Sequence, residues 1–104
     1  MKTWFDKVAE RVGHSSFAPA FKNILIEAIN QENLTANGSE TLIEMLPIEA
    51  HRRTVDKSLV EDVTLALMIR DGAVEVLEWD EYGAPSNMRI STAKPGPGPK
   101  NPQS

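Results

Sequence analysis

The chain has 104 residues, 40% of them apolar and 25% charged, with no cysteine and a formal net charge of −4. Such a length and balance suit one folded domain that buries a core without crosslinks, and they exclude disulfides and thiolate metal sites. Fifteen acidic residues against eleven basic ones also weigh against a polyanionic partner, since nucleic-acid affinity rests largely on lysine and arginine meeting phosphate.

Met1-Lys-Thr-Trp-Phe-Asp opens the chain, and Lys7, Glu10 and Arg11 follow at once. No apolar run reaches the length of a signal peptide or a membrane span, so a cytoplasmic protein is expected. Residues 3–12 have helical spacing: Trp4, Phe5, Val8 and Val12 form the apolar stripe, and Thr3 with Asp6 makes an acidic capping box. Gly13 suits a left-handed helix end. The stripe predicts a helix docked on the core; its two large aromatics are also candidate anchors for a partner.

Ser16 is a candidate cap for a second helix over 17–32, with Pro19 in its first turn and Phe17, Phe21, Ile24, Leu25, Ala28 and Ile29 on one face. A loop is expected over 33–39. Its two Asn-x-Ser/Thr triplets, at Asn33 and Asn37, read as chance products of a polar stretch. Ser39 is then the expected cap of a short helix, 40–46, that ends or bends at Pro47, leaving 48–53 as a helical turn or an extended crossover.

Residues 56–71 carry the densest apolar run of the chain, Leu59 to Ile69, apolar around much of its girth. This predicts a central, buried helix stopped by Gly72, with Asp56 and the Ser58–Glu61 capping box as competing starts. A β-hairpin is expected next, from strands 73–79 and 87–92, with Gly83 as the loop position tolerant of positive φ. Both faces of the hairpin hold apolar residues, Val74 and Val76 on one, Leu77 and Trp79 on the other. That surplus points to a second packing layer or a homodimer. The segment 94–104, with four prolines and two glycines, reads as a disordered or polyproline-like tail. The expected organisation is therefore one α+β domain over 1–93, with three or four helices packed on a C-terminal antiparallel hairpin, followed by the tail.

Helices followed by a hairpin is the winged-helix order of elements, an outline carried by no residue signature. In that outline the last helix reads DNA. Here the 56–71 helix would carry a surplus of acids, with no Asn, Gln or Arg in its first turns, and Glu75, Glu78, Asp80 and Glu81 would meet phosphates. The strongest binding candidate is instead the hairpin tip, where Trp79 and Tyr82 alternate with Glu78, Asp80 and Glu81: rings supply contact area and carboxylates select a basic protein partner. Arg52 and Arg53, beside His51, are a candidate anion contact or a favourable helix C-terminus. His14 and His51 stand in no catalytic or metal-spaced motif and no Gly-rich phosphate loop occurs, so neither an enzyme nor a cofactor is expected. A hydrolase or transferase would need a concave pocket holding His14 or His51 beside acids. The expectation is a small acidic protein-binding module of adaptor, inhibitor or immunity type, with a DNA-binding regulator as the alternative.

Overall fold

The computed structural model describes residues 2–91. Helix α1 (Trp4–Gly13) begins at the expected box: the Thr3 hydroxyl accepts from the Asp6 N–H at 3.1 Å, and the Asp6 carboxylate accepts from the Thr3 N–H at 3.0 Å. The helix closes through His14, whose N–H donates to the Glu10 carbonyl. Gly13 is therefore not the left-handed stop; among the described residues the glycines with positive φ are Gly72 and Gly83.

Helix α2 (Pro19–Ile29) is shorter than 17–32. Pro19 starts it, which fixes Ala18 as a cap without a side-chain acceptor. Ser16 does not cap it. Its hydroxyl donates instead to the Arg53 carbonyl at 2.6 Å, tying the α1–α2 joint to the end of α3. Phe17 lies outside the helix yet is buried, edge-on to Phe21 with centroids 5.3 Å apart.

The largest departure is α3 (Ala36–Arg53), one 18-residue helix with Pro47 inside it. Thr35 caps it, accepting from the Gly38 N–H, while the expected cap Ser39 is fully buried. Proline removes one N–H and costs about 3 kcal/mol in a helix interior. Here Pro47 sits on the exposed side, while Leu42, Leu46 and Ala50 repeat every fourth residue on the buried one. Burying two leucines is worth about 1.5–3 kcal/mol each, enough to carry the helix through the proline. It ends at Thr54 in the left-handed conformation, φ 55° and ψ 46°, with His51, Arg52 and Arg53 in the last turn.

Helix α4 (Lys57–Arg70) packs against α1, α2, α3 and the first strand, as its apolar girth requires. Asp56 holds the cap position, but neither expected capping arrangement forms, because the Ser58 hydroxyl donates to the Asp56 carboxylate at 2.6 Å. Leu59, Val63, Ala66 and Leu67 are buried, and with side chains of the other three helices they form one core. Gly72, at φ 85°, then turns the chain into the hairpin.

Strands β1 (Val74–Trp79) and β2 (Pro85–Ile90) pair antiparallel. β2 starts two residues earlier than expected; a proline is tolerated as the first residue of an edge strand. Val76 pairs with Met88 and Glu78 with Asn87, so Leu77 is an extra residue on β1; the next step leaves Ser86 extra on β2. These two bulges break the alternation of faces assumed from period two. Val74 is buried and Val76 half-buried, but Leu77, Trp79, Met88 and Ile90 are exposed. The architecture is α+β as expected, and among the described residues no helix is long and apolar enough to cross a membrane. The 94–104 tail lies outside the described residues.

Candidate functional site

At the hairpin tip the backbone closes on one side chain. The Asp80 Oδ1 accepts from the N–H groups of Tyr82 (2.8 Å) and Ala84 (2.9 Å), while the Asp80 N–H donates to the Ala84 carbonyl at 2.8 Å. Gly83 supplies the positive φ, 84°, and its N–H returns to the Asp80 carbonyl. Such an aspartate-centred turn holds its neighbours in fixed positions. Asp80, a candidate for partner contact, is therefore also the brace of the loop.

The tip leans on α1. Trp79 meets Phe5 edge to face, centroids 6.1 Å apart, and Phe5 meets Trp4 in the same manner at 5.2 Å. The Arg70 guanidinium lies over the Phe5 ring, 3.7 Å from its centroid. Lys7 Nζ reaches the Tyr82 carbonyl at 3.4 Å and so links α1 to the loop. Between them opens a cleft of about 310 Å³ whose lining includes Lys2, Trp4, Phe5, Lys7, Trp79 and Tyr82. That volume is at the small end of ligand-sized pockets, about 300–1,000 Å³. Trp79 stays 47% exposed and Tyr82 75% exposed. The structure thus joins the two separate candidates, the aromatic start of α1 and the tip, in one surface.

Several basic side chains are engaged locally. Arg11 pairs with Asp62 at 2.7 Å, Lys2 with Glu10 at 2.7 Å, Arg89 with Glu75 at 2.8 Å and Arg52 with Glu49 at 3.4 Å. Lys22 donates to the Gly13 carbonyl at the end of α1. Lys2 holds the Glu10 carboxyl below its ordinary value, by hydrogen bond first and charge second. Arg52 and Arg53 stand at the C-terminal end of α3 and do not line the aromatic cleft.

Two further clefts contain the histidines. His14 shares a space of about 600 Å³ with Glu10, Arg11 and Asp56, between the end of α1 and the start of α4. His51 lies in a groove of about 560 Å³ with Lys57 and Glu61. In the first, the two serine hydroxyls are committed: Ser15 donates to the Val12 carbonyl and Ser16 to the Arg53 carbonyl, both at 2.6 Å. A nucleophile needs its proton aimed at a base, and these two aim at backbone oxygens. Among the described residues no cluster of three or more His, Asp or Glu side chains could hold a metal ion.

Sequence reasoning missed Lys7, and it named Trp4 and Phe5 as anchors on α1 without joining them to the tip. Their spacing signals only a helix face, and nothing local says that the hairpin folds back onto it. No protein-family model matches the chain, nor does any curated protein or solved structure.

Proposed function

We propose that this protein is a non-enzymatic binding module that docks the hairpin tip on a basic protein surface. The observation that carries the reading is the half-exposed Trp79 beside the exposed Tyr82 on a braced turn. A fixed aromatic loses little conformational freedom on binding and is a frequent energetic anchor. The charge around it selects the partner: the hairpin bears Glu75, Glu78, Asp80 and Glu81 against Arg89 alone. Like charge on a second copy would repel face to face, so this surface favours a basic partner over self-association. A homodimer, if one forms, would use another face, and light scattering on the eluting species reads it directly.

The alternative, a DNA-binding regulator, draws less support. Reading a groove needs an open helix face with base-contacting side chains. The exposed positions of α4 are Lys57, Ser58 and Glu61. A cytoplasmic location belongs to the same proposal and is checked by fractionation.

The test is capture from the native cell, followed by purification of the captured protein and titration with three versions of the chain. The variant Trp79→Ala/Glu81→Gln/Tyr82→Ala leaves Asp80 in place to keep the turn. It should bind roughly tenfold or more weakly, while Arg52→Ala/Arg53→Ala retains the affinity. Equal affinity of the tip variant and the native chain overturns the proposal.

A further inference from the structure

Among the described residues the sheet has two strands, and no third strand lies beside β2. We infer that β2 is the contact of a homodimer: it pairs antiparallel with β2 of a second copy, Met88 against Met88, and the two hairpins make one four-stranded sheet. The inference does not use the tip and goes beyond the reading above.

Both the backbone and the side chains of this strand are open. The Ser91 N–H donates to the Ala73 carbonyl, so ladder alternation turns Arg89 toward β1 and aims the N–H and C=O groups of Met88 and Ile90 away from it. Such a row of groups is a template for another strand. Val74 pairs with Ile90 and Val76 with Met88, so these four residues share one face. Helix α4 packs on β1, and along that face exposure climbs from buried Val74 to 38% at Met88 and 70% at Ile90. β2 thus overhangs the helix layer with two apolar side chains uncovered. A two-fold axis normal to the sheet preserves its faces, so Met88 and Ile90 of both copies gather on the side that carries the α4 helices. Two strands alone are marginal, whereas a larger sheet with one apolar face is not.

Charge selects a second copy as the occupant. The acids of the hairpin stand on β1 and at the tip, at Glu75, Glu78, Asp80 and Glu81, and β2 carries none. Its one charged side chain, Arg89, is held by Glu75 at 2.8 Å. With Met88 at the axis, Arg89 faces Asn87 of the other copy, so like charges do not stand opposite one another. Pairing through β1 would instead bring Glu75 and Glu78 of two copies onto one seam. The antiparallel arrangement also sends the acidic tips to opposite ends. Tyr82 lies six residues from Met88, which sets the tips roughly 40 Å apart at about 3.4 Å per residue. That is well beyond the screening length of about 8 Å at physiological salt. Both tips stay open to partners.

Sedimentation and cross-linking test the inference on the full chain. The native protein should sediment as a dimer that dissociates on dilution. Met88→Lys sets two ammonium groups across the axis and should raise the dissociation constant roughly tenfold or more. Met88→Glu should do the same with two carboxylates, and an equimolar mixture of the two variants should recover a dimer. Ile24→Ser/Met45→Ser, on the α2–α3 face, should leave the dimer intact. The chain has no cysteine, so Met88→Cys carries a single thiol. Opposed Cα atoms about 5.5 Å apart suit a disulfide, and mild oxidation should link the copies while Asn37→Cys, on α3, stays unlinked. Met88 is partly exposed and the buried core lies within residues 5–74, so the position 88 variants keep their fold. A native chain that stays monomeric up to NMR concentrations overturns the inference. So does a dimer that Met88→Lys leaves intact or Ile24→Ser/Met45→Ser dissolves, a mixture that stays monomeric, or Met88→Cys that links no faster than Asn37→Cys.

Discussion

Arg70 lies with its guanidinium 3.7 Å from the centre of the Phe5 ring, and its Nε donates to the Ile29 carbonyl at 2.7 Å. One side chain at the end of α4 thereby fastens α1, which carries half of the aromatic cleft, and caps a carbonyl at the end of α2. Its own carbonyl accepts from the Leu34 N–H at 3.3 Å.

Replacing Arg70 with alanine should cost about 1–3 kcal/mol, from the lost ring contact and a hydrogen bond to a charged donor. Lysine should recover only part, since a point charge does not both stack and donate in that geometry. Urea denaturation of the three proteins checks this, and equal midpoints would contradict it.

Pro47→Ala should stabilise. The substitution returns the missing N–H to the interior of α3 while Leu46 and Ala50 stay buried. A gain of roughly 1–3 kcal/mol is expected, read as a higher thermal midpoint with unchanged helical ellipticity.

Ser39 is fully buried, and its Oγ finds no hydrogen-bond partner among the described residues. Removing an unmatched hydroxyl recovers its desolvation cost, so Ser39→Ala should raise stability by about 1–3 kcal/mol. A destabilised variant in chemical denaturation would show that the hydroxyl is matched after all.

Glu10 titrates below its ordinary value because of Lys2. A depressed carboxyl contributes stability that is present above its unfolded pKa and fades as pH falls through the folded one. Lys2→Ala should therefore move the Glu10 titration upward in a carbon-detected NMR series and remove that acid-range dependence. The pair is exposed, so the effect on stability is small.

Much of the fold was legible because its signals are local. Thr3 and Asp6 announce the start of α1, the run from Leu59 to Ile69 announces a central helix, and Gly72 and Gly83 announce turns at positive φ. What the sequence concealed depends on contacts between distant residues. Pro47 reads as a stop, and only the burial of Leu42, Leu46 and Ala50 against the rest of the core overrides it. The extra residue Leu77 is invisible to a period-two reading, because a bulge is a property of the strand pair. Trp79 and Tyr82, and separately the aromatics Trp4 and Phe5, were identifiable as binding candidates, whereas their union in one cleft was not: Phe5 and Lys7 meet the tip only through the way the hairpin leans on the helix.

Hydrogen exchange read by mass spectrometry on the native chain, with and without its purified partner, tests the docking surface most directly. The account predicts that binding slows exchange in peptides spanning 77–84 and 2–7, while those spanning 49–54 exchange as before. Protection confined to 49–54 or to the α2–α3 face of Ile24 and Met45, with the tip unchanged, would contradict it.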